Sequence, residues 1–96
     1  MKKVLIKKDE INISGHALYD EYGKDIVCAA VSSTVITTVN GILSIDKDAI
    51  KVNEKGSVNI VILKHTEVVD KLLNNMINLL TELQKDYKDN IDIRRC

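Results

Sequence analysis

Apolar and polar positions alternate in two registers along this chain, and the register changes mark its elements. Val4-Leu5-Ile6 and then Ile11 and Ile13, separated by Lys7-Lys8-Asp9, predict two short strands over 3–6 and 10–16 joined as a hairpin. Residues 42–52 and 57–63 read as a second strand pair, with Asn53-Glu54-Lys55-Gly56 as the turn and the β-branched run VNIVIL in its second arm. From Thr66 to Tyr87 the period lengthens. Val69, Leu72, Leu73, Met76, Leu79, Leu80, Leu83 and Tyr87 recur at spacings of three and four, which predicts an amphipathic helix. Thr66 is its expected N-cap, Glu67 and Asp70 suit the positive end of its dipole, and Lys85 and Lys88 suit the other. Ile91-Asp92-Ile93 then alternates as a short closing strand.

Residues 25–40 fit both registers. Val31, Ser33, Val35, Thr37 and Val39 alternate as in a strand, with Asn40-Gly41 as a hairpin turn. Val27, Val31, Val35 and Val39 equally fall on one helical face, with Asp25 as N-cap and Asn40-Gly41 as C-cap. Period alone does not choose between them.

The 96 residues suit one small domain, 1–96, with an aliphatic core, because 45% of them are hydrophobic and the only aromatics are three tyrosines. Fourteen basic and fourteen acidic side chains cancel. No net field then draws the protein to nucleic acid or to an anionic membrane. The apolar run near the N-terminus stops at Lys7-Lys8, too soon for a signal peptide, and no stretch reads as the roughly 20 apolar residues of a membrane helix. A cytoplasmic protein with free thiols is expected. Two histidines and two cysteines at 16, 28, 65 and 96 have no metal-ligand spacing, so neither a metal nor another cofactor is expected.

Candidate chemistry concentrates in GHALYDEYGKDIVCAA, residues 15–30, where His16 and Cys28 flank a polar loop. If Asp25 caps a helix, Cys28 stands in its first turn, where backbone N–H groups and the dipole favour a thiolate and would stabilise an oxyanion. His16 would then take the thiol proton and return it to a leaving amine. Against this, most cysteines of small domains are inert packing elements. His65, at a second strand-to-helix junction, reads as a surface turn residue, and Cys96 as an exposed incidental thiol. The acids Asp20, Glu21 and Asp25 read as a solvated loop and a cap that would attract a basic peptide if the thiol is active.

Gly15-His16-Ala17, a polar loop, Glu21-Tyr22-Gly23, and Asp25-Ile26-Val27-Cys28-Ala29 followed by Ser32 resemble the ribosomal-processing cysteine proteases of bacteria, the Prp family. The similarity continues through the amphipathic helix into DYKDNIDI. It implies an α/β (α+β) fold, a small single domain with a mixed, mostly antiparallel β-sheet packed with two α-helices. The first helix would begin just before the cysteine, so the resemblance assigns 25–40 to helix. It further implies Cys28 as nucleophile and His16 as general base. Gly15 would shape the turn, Asp25 cap or orient, Ser32 support the site, and Asp20, Glu21, Tyr22 and Gly23 form a substrate loop. The implied activity is removal of an N-terminal extension from the twenty-seventh protein of the large ribosomal subunit, by a homodimer; the balanced charge and composition add the expectation of no membrane and no direct nucleic-acid partner. One position departs from the pattern: Asp20 stands where a glycine is expected. The competing reading is a non-enzymatic, ribosome-associated or peptide-binding module, which slow alkylation of Cys28 would favour.

Overall fold

The structure is a computed structural model, and it describes residues 1–21 and 23–96. Its elements in chain order are β1 (Lys2–Ile6), β2 (Glu10–Ser14), α1 (Ile26–Ile45), β3 (Ile50–Glu54), β4 (Val58–Ile62), α2 (Glu67–Asp86) and β5 (Ile91–Arg95). The five strands form one sheet in the order β3-β4-β2-β1-β5. β1 pairs β2, β2 pairs β4 and β3 pairs β4 antiparallel, whereas β1 pairs β5 parallel. This is the mixed, mostly antiparallel sheet with two helices that the resemblance implies.

Period-two alternation turns one face of the sheet into the core. Val4 and Ile6 of β1, Ile11 and Ile13 of β2, Ile60 and Ile62 of β4 and Ile91 of β5 are all buried there. The register sets Val4 beside Ile13, and Ile6 beside Ile11, which in turn faces Ile60, so the buried side chains run continuously across three strands. They form a single cluster with the buried faces of the helices: Val27, Val31, Val35, Val39 and Ile42 of α1, and Val69, Leu73, Met76, Ile77 and Leu80 of α2. α2 starts where expected, with the Thr66 hydroxyl accepting from the Val69 N–H at 3.2 Å.

α1 resolves the ambiguous segment as helix and also corrects three sequence expectations. Asn40-Gly41 does not end it. The helix runs to Ile45, and the strand expected from residue 42 begins only at Ile50. Ile42 lies three positions beyond Val39 on the buried face and is 1% exposed, so core burial outweighs both the Gly41 penalty and the strand propensity of ILSI. The stop comes at Asp46, whose N–H closes on the Ile42 carbonyl at 2.8 Å while its carboxylate accepts from the Asp48 N–H at 3.0 Å. The hairpin arm is correspondingly shorter, and its turn lies at residues 55–57 rather than 53–56. Twenty residues without a charged side chain also give α1 the length and hydropathy of a membrane-crossing helix, contrary to the expectation that no segment would reach it. Its valine stripe is instead one wall of the core.

His65 lies in the connection from β4 to α2, where its ring spans two elements. Nδ1 lies 2.8 Å from Asp70 of α2, and Nε2 lies 2.7 Å from Asp9 between β1 and β2. Donating from both nitrogens requires the imidazolium, so the Asp70 hydrogen bond first and the Asp9 bond second raise its pKa above 6.5. A raised pKa means that the bridge contributes fully below 6.5 and loses its contribution as pH rises through the folded-state value. The Tm advantage of wild type over His65→Gln should therefore shrink from pH 6.5 upward. A gap that is constant or widens with pH would show the ring to be uncharged in the folded protein.

Candidate active site

Gly15 ends β2 with φ 78°, in the left-handed region that glycine enters without cost. A Cβ at this position would run into the carbonyl oxygen of Met1. The Lys2 ammonium donates to the Gly15 carbonyl at 3.1 Å, so the end of β2 is tied to the start of β1. His16 emerges from this turn, exposed to solvent.

Asp25 caps α1. Its Oδ1 accepts from the N–H groups of Val27 and Cys28, each at 3.0 Å. Its Oδ2 accepts from the N–H of Tyr19 at 3.0 Å and of Asp20 at 3.4 Å. One carboxylate therefore joins the loop after His16 to the turn bearing Cys28. These bonds, that from Cys28 foremost, hold its pKa below 3.8 against the opposing cost of desolvation. This corrects the expectation of an open helix end. The Val27 and Cys28 N–H groups are taken by the cap, and the Ala29 N–H bonds the Asp25 carbonyl at 3.1 Å. The backbone donor aimed at the sulfur comes from elsewhere: the Ala17 N–H lies 3.3 Å from Cys28 Sγ.

His16 and the half-buried Cys28 line one cavity of about 590 Å³, together with Lys2, Asp20, Asp25 and Ser32. Gly23 lines it too. Among the described residues no hydrogen bond joins the His16 ring to Cys28; such contacts commonly tighten only when substrate is bound. Ser32 stands one turn after Cys28 with its side chain exposed at the cavity wall. Glu21 is not part of the wall and pairs instead with Lys24 at 2.9 Å. Tyr22 lies outside the described residues. Lys2, His16 and Ser32 also border a second groove of about 620 Å³, whose floor is apolar and includes Ile13, Val35, Ile36, Val39, Val52 and Val58. His65 and Cys96 line neither cavity.

Two contributors escaped the sequence reading. Lys2 reads as a solvated charge beside a strand, and nothing local signals that pairing of β1 with β2 brings it to the cavity. Asn90, in the turn before β5, donates from Nδ2 to the Ala17 carbonyl at 2.8 Å across 73 positions of sequence. The Tyr87 ring, at the end of α2, meets Tyr19 edge to face with centroids 5.3 Å apart.

Residues 1–92 match the family model for cysteine protease Prp. The chain belongs to the Prp family. A ribosomal processing cysteine protease Prp of Staphylococcus aureus strain Mu50 is 28% identical over 89 residues, which span 88% of this chain and 84% of that protein. Its Bacillus subtilis strain 168 counterpart, also named ribosomal processing cysteine protease Prp, is 29% identical over 91 residues, 84% of this chain and 80% of its own. The crystal structure of the S. aureus Prp with a covalently linked product peptide superimposes with a TM-score of 0.95 at 25% identity, covering 100% of both chains. As a Prp this protein is a cysteine protease, and the competing reading as a non-enzymatic module falls away.

Proposed function

We propose that this Prp removes the N-terminal extension of the twenty-seventh large-subunit ribosomal protein, with Cys28 as nucleophile and His16 as general base. The observation that carries this reading is the cavity lined by both Cys28 and His16, with the Ala17 N–H directed at the sulfur. His16 takes the thiol proton as Sγ attacks the scissile carbonyl carbon, and the carbonyl π electrons move to oxygen. The Ala17 N–H, released from sulfur as the new S–C bond forms, becomes a donor for that oxyanion. Collapse breaks the C–N bond, and the imidazolium gives its proton to the leaving amine. Water then attacks the thioester, losing a proton to His16, and the thiol is regenerated with release of the new carboxylate.

Gly15 sets the direction of His16, Asp25 joins loop to helix, and Ser32 is a polar wall residue one helical turn beyond Cys28. Asp20 and Gly23 form the substrate side of the cavity, with Glu21 and Tyr22 completing the loop. The adjoining apolar groove offers an extended substrate chain a surface continuous with the cavity. In this reading residues 1–96 act as one domain, the protein works in the cytoplasm as a homodimer, and neither nucleic acid nor membrane takes part directly.

The test is incubation of the purified protein with a peptide spanning the precursor's extension, followed by mass spectrometry. Cleavage at one bond is expected, with none in Cys28→Ala. Equal cleavage by both proteins would overturn the assignment.

A further inference from the structure

We propose that Asn90, in the turn between α2 and β5, is a positioning residue of the protease that holds the His16–Ala17 segment against Cys28. The inference rests on the assignment of Cys28 and His16 made above. Ala17 is held at both of its polar backbone atoms. Its carbonyl accepts from Asn90 Nδ2 at 2.8 Å, and its N–H points at Cys28 Sγ, 3.3 Å away. Ala17 as a whole is 1% exposed, so the residue is fixed by packing as well. The next residue, Leu18, has φ 57°, a left-handed conformation that is unfavourable for a residue with a side chain. Such a conformation persists only where neighbouring contacts over-determine it.

Those contacts are present on either side. Asn90 fixes Ala17 before the strained residue, and Asp25 Oδ2 fixes the Tyr19 N–H after it. Asn90 is itself built in: its N–H bonds the Tyr87 carbonyl at 2.9 Å, and its carbonyl accepts from the Lys2 N–H at 2.8 Å. The Tyr87 ring packs on Tyr19 from the same turn. One short turn at the far end of the sequence thus supports the loop that carries the base. Without the Asn90 amide, Ala17 loses the anchor on its carbonyl side, Leu18 is free to relax, and both the N–H on the sulfur and the imidazole beside it drift from their working positions. Among the described residues Asn90 makes no hydrogen bond to Cys28 or His16, so its effect is on the geometry of turnover.

Asn90→Asp tests this, because it keeps size and shape while replacing the donor by an acceptor that faces a carbonyl. Asn90→Ala removes the contact altogether. For both, kcat on the precursor peptide should fall roughly tenfold to a hundredfold with KM within about twofold of wild type. The Ala17 amide should exchange with solvent faster, while amides in the middle of α2 keep their protection. Wild-type kcat together with wild-type Ala17 protection in Asn90→Asp would overturn the inference and leave Cys28 and His16 in place. A fall in kcat accompanied by loss of protection throughout α2 would also overturn it, since Asn90 would then serve the fold as a whole. Cleavage that survives Cys28→Ala would overturn the nucleophile assignment, and the positioning role with it.

Discussion

Cys28→Ala is expected to reduce cleavage of the precursor peptide by roughly 10⁴-fold or more, and His16→Ala to come close to the same loss. Alanine at 28 leaves no atom to form the S–C bond. Alanine at 16 removes the proposed acceptor of the thiol proton, and the Ala17 N–H that contacts the sulfur is a donor that cannot accept one. In the proposed dyad the two side chains act as a unit, so the double variant should be no slower than Cys28→Ala alone. Cys28 is only half-buried and His16 is exposed, so neither substitution should unfold the protein. Single-turnover kinetics on the four proteins would measure this. Losses that multiply in the double variant would mean that the two residues act in separate steps.

Gly15→Ala should damage both stability and turnover. Two costs coincide at this residue: a left-handed φ of 78°, and a new Cβ that meets the carbonyl oxygen of Met1. That oxygen belongs to backbone tied in by the first strand, so it cannot swing aside as the tip of a side chain would. The expected loss is about 1–3 kcal/mol of folding stability. Because His16 is the next residue, the same displacement should lower kcat roughly tenfold to a hundredfold. Gly23→Ala is the comparison: its φ is 87°, but among the described residues nothing beyond its chain neighbours lies within 4 Å of the added Cβ. Denaturant titration of both variants separates conformational strain from collision. Equal destabilisation would show that the backbone at Met1 yields freely.

What could be read from the sequence follows how far apart the deciding residues lie. α2 was legible because its apolar residues recur at helical spacing and Thr66 supplies a cap within the same local window. α1 was not, since its valines sit at positions that satisfy both periods and its threonines and isoleucines favour strands. What decides it is burial against the sheet, which lies outside any local window. The same burial, at Ile42, carries the helix past Asn40-Gly41 and displaces the start of β3. In the site, His16, Cys28 and the Asp25 cap were candidates on residue chemistry alone, and the resemblance turned the choice toward the helical, catalytic reading. That the cap would consume the N–H groups expected to remain open did not follow, although it uses the same rule. Asp20, the departure from the family pattern, lines the cavity and joins the loop to Asp25 through its N–H. Ala17 and Asn90 had no local signature, because a buried alanine and a turn asparagine are ordinary until 73 positions of chain bring them together.

The parallel pairing of β1 with β5 bears on the life of the nascent chain. Lys2 to Ile6 pair with Ile91 to Arg95, and Asn90 stands immediately before that strand. The cysteine and the histidine leave the ribosome early, whereas the strand and the turn that hold their loop are translated dozens of codons later. Until then the thiol has no braced partner. Assembly of the site therefore waits for residues 90–95, and a chain stalled before residue 90 would carry Cys28 in an unassembled site.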